Sequence, residues 1–380
     1  MNKYFSFRNY IVYPVFMIFI AFFSGCCVNK KLNNPQKGET TGISSLKFID
    51  EYVIPTQTYF DSTIVGGLSG IDYANGKYYT ISDDKKRPVR FYELDLKYSQ
   101  KGFSSVDISG MTVIKTEEKY IDPESIRYDK YRNHFFWTSE GAVRKGVSPA
   151  VFEIDRTGMS IRKYDTPDIF KVKLDKTKGP RQNGTFECLS MSVDTGFFWV
   201  GMELPLKEDG EEPKLLETNS PVRISKINKN TGEVDYQFAY YLNPIPKDSK
   251  PKGKFRVNGL PEILSIDDNT FLFIERAYAS GYKDGGNTVR IYKVDANGAT
   301  DIKGILSLKK AKFIAAKKTL LFDFETIRSK LTKGIVDNIE GICFGKTLNN
   351  GHKTLVLVSD NNFSMFSPQL NQIIVLEVMP

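Results

Sequence analysis

The sequence predicts an all-β fold, a β-propeller, and three observations point to it. A short apolar strand carrying a carboxylate recurs along the chain. Each copy leads through a turn to a second strand that ends in another carboxylate, and a third, alternating strand follows in most copies. Composition agrees: hydrophobic residues make up 41% of the 380, enough for a sizeable core. The aromatic side chains are 27 Phe and 20 Tyr against 2 Trp, residues that suit pleated, half-buried surfaces.

In chain order, the first strand of the repeat is Gly67-Leu68-Ser69-Gly70-Ile71, which keeps the frame but lacks the carboxylate. It returns as Asp122-Pro123-Glu124-Ser125-Ile126, Thr185-Phe186-Glu187-Cys188-Leu189, Leu260-Pro261-Glu262-Ile263-Leu264 and Asn338-Ile339-Glu340-Gly341-Ile342. The second strands end at Asp83, Glu140, Glu203, Glu275 and Asp360, and turns such as Asn75-Gly76 and Asp194-Thr195-Gly196 suit hairpins. The third strands are expected at 89–96, 150–155, 222–228, 289–295 and 372–378, each with a weaker fourth strand after it. Four strands per repeat is the pattern of a propeller blade, whose faces are buried only by stacking on its neighbours. Five repeats are visible, and six blades would result if 303–337 held a degenerate one. A strand at 46–54 is expected to pair with 372–378 and close the ring, and 324–332 reads as one short helix.

The domain order is a signal peptide at 1–25, a tether at 26–45 and the propeller at 46–380. Lys3 and Arg8 precede an apolar run at 11–23 that ends in Ser24-Gly25-Cys26, the pattern of a secretory leader. Phe23-Ser24-Gly25-Cys26 resembles a bacterial lipobox, which makes Cys26 the expected lipidation site and places the protein on the membrane of the cell envelope. The residues after Cys26 are basic rather than acidic, which favours an outer-membrane anchor facing the periplasm. Of the +8 formal charge, two units come from Lys3 and Arg8. A net two come from Lys30, Lys31 and Lys37 against Glu39, which leaves +4 for the fold. No clustered basic face is evident, so nucleic acid is not an expected partner. Cys188 and Cys343 lie in apolar runs and read as small buried hydrophobes, and no zinc spacing is present.

Equivalent residues on inner strands come to one axial level in a propeller. Glu124, Glu187, Glu262 and Glu340 are therefore expected to form a partial ring, with Asp83, Glu140, Glu203, Glu275 and Asp360 around the same mouth. Converging carboxylates repel one another and call for a cation, basic partners or shared protons. A hard cation such as Ca²⁺ fits an all-oxygen donor set. Zinc does not, since the chain has 2 His. Arg90, Arg223 and Arg290 recur near the start of third strands and Arg276 follows Glu275, so these four are the candidate substrate clamps.

Several of these segments together resemble the phytase-like family with esterase-like activity. They are Gly67-Leu68-Ser69-Gly70, Ser82-Asp83-Asp84, Ser139-Glu140-Gly141, Asn183-Gly184 before Phe186-Glu187, Ile274-Glu275-Arg276, Asp337-Asn338-Ile339-Glu340-Gly341 and Ser359-Asp360-Asn361-Asn362-Phe363. The resemblance runs from about Val65 to the C-terminus and implies hydrolysis of a phosphate or carboxylic ester, a small-molecule substrate. Calcium-dependent phosphoester hydrolysis is then the expected chemistry, with Glu124, Glu187 and Glu340 as the catalytic carboxylates. A propeller that binds a metal or polar ligand without turnover is the alternative. A serine esterase fits less well: Ser69 is not in a Gly-x-Ser-x-Gly elbow, and His134 and His352 both sit in turns.

Overall fold

The structure is a computed structural model that describes residues 42–86, 88–364 and 369–380. The leader, Cys26 and the tether up to residue 41 lie outside the described residues. Five antiparallel four-stranded sheets follow one another along the chain. The first blade is Leu68–Ala74, Lys77–Ser82, Arg90–Ser99 and Gly102–Val113; the second is Pro123–Asp129, His134–Ser139, Ala150–Ile154 and Ser160–Lys163. The third is Phe186–Met191, Phe197–Met202, Pro221–Asn228 and Val234–Tyr241; the fourth is Arg256–Ser265, Thr270–Ala279, Asn287–Asp295 and Lys317–Asp323. The fifth combines Asn338–Phe344, Thr354–Asp360 and Asn371–Met379 with the N-terminal strand Ser45–Ile54.

That last pairing closes the ring as expected, with Leu46 opposite Val378 and Ile54 opposite Asn371. The first strands of successive blades touch one another all the way round, the fifth back to the first. There is no sixth blade among the described residues. The stretch at 303–337 instead supplies the outer strand Lys317–Asp323 and the 3-10 helix Phe324–Lys330. Alternation decides each strand's faces, as in Arg90–Ser99, where buried side chains alternate with less buried ones along its second half. The buried faces meet between blades through aromatic side chains: Tyr79 and Phe91 on Phe135 between the first and second, and Phe136 on Phe198 between the second and third. Among the described residues, no helix is long and apolar enough to cross a membrane.

One irregularity positions the site. Every first strand breaks register with its neighbour at the same height. The ladder skips Ser69, Glu124-Ser125, Glu187, Leu260-Pro261 and Glu340 in blades one to five. Bulges of this kind re-aim side chains. The first strands also pack very closely here. A Cβ on Gly70 would lie 2.7 Å from the Ser125 Cα, and one on Gly341 would lie 3.0 Å from the Ile71 N. Crowding at the axis accounts for the small residues Ser125, Cys188 and Gly341 directly after the three bulged glutamates.

Candidate metal centre

The bulges open onto a cavity of about 520 Å³ at one end of the central channel. Its walls carry seven carboxylates, Asp83, Glu124, Glu140, Glu187, Glu203, Glu340 and Asp360, against two cations, Lys85 and Arg276. These seven were all expected at the mouth. Two others were not brought there. Glu262 resumes the ladder opposite Ile274, beyond the bulge rather than within it, so it lies deeper in the channel. There it pairs with Arg127 at 2.7 Å and accepts from the Ser125 hydroxyl and the Leu189 amide. Glu275 and Arg276 are consecutive in a strand and point to opposite faces. Arg276 lines the cavity, while Glu275 faces the third blade and accepts from Tyr240, Asn243, Asn258 and Lys318.

The arginines divide in the same way. Arg276 is the only arginine among the described residues lining the cavity; its Nη2 lies 2.9 Å from Glu340 and 3.5 Å from Glu203. Arg90, Arg223 and Arg290 sit on third strands, too far from the axis to reach the mouth. Each is closed by an aspartate: Arg90 on Asp84 at 3.0 Å, Arg223 on Asp209 at 2.6 Å and Arg290 on Asp323 at 2.9 Å. Their repetition is blade architecture. Neither histidine lines the cavity. His134 bonds Glu153 and His352 bonds Glu377. Cys188 and Cys343 are both buried and free.

Two groups of carboxylate oxygens lie within 4.8 Å of one another and could hold a metal ion: Asp122, Glu124 and Glu140, and Glu140, Glu187 and Glu203. Glu140 belongs to both and is held by the backbone amides of Gly184 and Thr185, each at 2.7 Å. On the far side, the Asn338 amide joins Glu340 at 2.8 Å to Asp360 at 3.3 Å. Asp122 and Lys85, an ion pair at 2.7 Å, are functional candidates that motif reading passed over. Asp122 had a signal: a second carboxylate just before the strand, two residues from Glu124. Lys85 had none, since a loop carries it in.

Crowding and burial raise the proton affinity of the whole set. Burial, then Asp360 and Asp122, pushes Asp83 up to about 8. Burial, then Glu203 and Asp122, brings Glu140 to about 7, and burial brings Asp360 to about 6. Glu124, Glu187 and Glu340 are held well above the ordinary range, by burial first and by neighbouring carboxylates second. Asp83 Oδ1 and Asp122 Oδ1 are buried without a hydrogen-bond partner. Unpartnered carboxylate oxygens that hold protons when no cation is near, and give them up to one, fit a hard cation.

A family model described as phytase-like, esterase-like activity of phytase, matches residues 63–363. No curated protein sequence matches the chain. Among solved structures the chain is similar to the Dos1 propeller, with 9% identity and a TM-score of 0.34 over 83% of this chain and 69% of that one. It is similar to the major allergen Mala s 1 of Malassezia sympodialis, with 10% identity and a TM-score of 0.43 over 82% and 92%. It is also similar to a thermostable family-43 glycoside hydrolase, with 9% identity and a TM-score of 0.45 over 85% and 91%. These likenesses speak to the fold alone.

Proposed function

The chain belongs to the phytase-like family, and from that premise we propose that it is a metal-dependent ester hydrolase acting on phosphate monoesters at the carboxylate-lined mouth. The observation that carries this reading is the pair of oxygen clusters sharing Glu140, set in a cavity where five carboxylates exceed the available cations. Asp122, Glu124, Glu140, Glu187 and Glu203 would hold the cation, for which Ca²⁺ fits the donor chemistry. When bound, the cation supplies positive charge against the substrate's anionic oxygens and makes water more acidic.

The chain's own groups supply the rest. Arg276 commits Nη2 to Glu340 and Glu203, and its guanidinium on the cavity wall supplies positive charge for a substrate oxygen. Asp360, tied through Asn338 to Glu340, is the base that takes the proton of the attacking water; its value of about 6 suits a base at neutral pH. Lys85, paired with Asp122, offsets the charge of the departing alkoxide. Water's oxygen joins phosphorus as its proton passes to the carboxylate, the P–O bond to the alcohol breaks, and the alkoxide takes a proton from the Lys85 ammonium, which solvent then restores.

The test is phosphate and carboxylic ester hydrolysis by the full chain, with Ca²⁺ and again with chelator. Phosphate release that disappears with chelator and in Glu140→Gln supports the proposal. Metal-induced thermal stabilisation without turnover of any ester would replace it with a metal-binding propeller. The lipid anchor rests on the sequence of the leader. Incorporation of labelled fatty acid, lost in Cys26→Ala, is its test.

A further inference from the structure

The central mouth is not isolated. Lys85 lines it and also lines a second cavity of about 500 Å³ walled by Val89, Tyr120, Ile121 and Ala142. That second cavity shares Val89, Glu118 and Lys119 with a third, of about 950 Å³, between the first and second blades. The three are thus neighbours with shared walls, in a row leading outward from the carboxylates. The outer part of the row is mostly apolar surface, from Val113, Ile114, Met159, Trp137 and Phe152, with Lys115, Glu117, Glu118, Lys119 and Lys163 also lining it.

The groove exists because the second blade is incomplete at its edge. Its outermost strand, Ser160–Lys163, has 4 residues where the first blade has 12 and the third has 8. Trp199, the counterpart of Trp137 in the third blade, is enclosed by Tyr236, Phe238 and Phe271 at ring separations of 5.0 to 6.3 Å. Trp137 stacks on Phe152 at 4.4 Å and is as buried as Trp199, 0% against 1% exposed, so it lies just beneath the groove floor rather than open to it. Along the rim, Val113, Tyr120 and Met159 expose 38%, 57% and 45% of their surface. These exposed rim side chains, beside the carboxylate mouth, are a binding surface for apolar material.

We propose that this inter-blade groove binds the apolar portion of the ester, so that the substrates are amphiphilic: a phosphate head at the mouth and an alkyl or aryl tail between the first and second blades. The inference rests on the hydrolase reading and narrows it. A highly phosphorylated polyanion is disfavoured, because the mouth offers Lys85 and Arg276 against seven carboxylates, and Arg90, Arg223 and Arg290 are each closed by an aspartate elsewhere. A single head satisfied by one cation and Arg276, with the leaving alcohol directed past Lys85, matches the charge and the lining.

Two measurements test it on the full chain. The first is kcat/KM for alkyl phosphates of increasing chain length. An octyl ester is expected to exceed a methyl ester by about tenfold or more, since each buried methylene adds discrimination. Ala142→Trp, which fills the passage, and Met159→Glu, which charges the groove, should each abolish that preference while leaving methyl phosphate turnover unchanged. The second is independent of turnover: octyl phosphate brominated at its tail should quench tryptophan fluorescence in Trp199→Phe, where Trp137 remains, and inorganic phosphate should not. Hydrolysis with no chain-length preference and no quenching overturns the groove while sparing the hydrolase. Quenching without hydrolysis overturns the hydrolase and keeps the groove as a binding site.

Discussion

The Arg127 guanidinium and the Glu262 carboxylate meet at 2.7 Å inside the channel, and neither side chain exposes more than 2% of its surface. Arg127 belongs to the second blade and also donates to the carbonyls of Ile71, Leu189 and Ile263, in the first, third and fourth blades. One side chain thus ties four of the five blades below the mouth. Glu262 is held at about 7 by burial, which Arg127 only partly offsets.

Breaking this pair from one side should be costly. Arg127→Met leaves a buried carboxylate unpaired and is expected to lower stability by about 3–5 kcal/mol. Adding Glu262→Leu should regain part of that, because the uncompensated charge is removed while the three carbonyls still lack a donor. Denaturant unfolding of both single variants and the double variant checks this. Strict additivity would show that the two residues do not act as a pair.

The mouth carboxylates predict an inverted pH dependence for the metal-free protein. Asp83 at about 8, Glu140 at about 7 and Asp360 at about 6 all lie above the ordinary range of roughly 4. Between these limits the folded chain keeps protons that the unfolded chain has released. Stability is therefore greatest below about pH 4 to 5 as far as these groups decide it, and is lost as pH rises toward 8. Melting in chelator should show a lower Tm at pH 8 than at pH 5.5, and added Ca²⁺ should remove most of the difference. A Tm that rises over that interval in chelator contradicts the assignment.

Glu140 and Glu275 look alike in the sequence and should behave differently. Glu140→Gln weakens both oxygen clusters at once, so the thermal shift on adding Ca²⁺ should largely vanish; a ligand at a hundredfold excess over its Kd is worth about 2.7 kcal/mol. Glu275→Gln should retain that shift and lower the baseline Tm instead, since four side chains donate to that carboxylate. Equal calcium shifts in the two variants would count against the shared centre.

Arg276 and Arg223 form a second such contrast. Arg276→Met should reduce ester turnover by roughly 100-fold or more, the scale for losing a positioned donor to transition-state charge. Arg223→Met should instead destabilise the fold, because Asp209 is left buried and unpaired, with kcat unchanged in whatever fraction remains folded. Steady-state kinetics set beside melting curves separate the two effects.

The sequence by itself determined the architecture. Strand alternation, turns such as Asn75-Gly76 and the recurrence of a carboxylate at one height are local properties, and they specify blades, their order and a closing strand at 46–54, observed as Ser45–Ile54. Seven of nine expected mouth carboxylates follow from that repetition. What repetition could not decide is which way a side chain points once the ladder slips. Pro261 shifts the bulge in the fourth blade, so Glu262 resumes pairing and meets Arg127 where Glu124, Glu187 and Glu340 face the cavity. Distance from the axis likewise turned three repeated arginines into scaffold, and a loop brought in Lys85. Those outcomes depend on contacts between residues far apart in the chain, such as Arg127 with Ile263 and Asp122 with Lys85, and only the closed ring of blades brings them together.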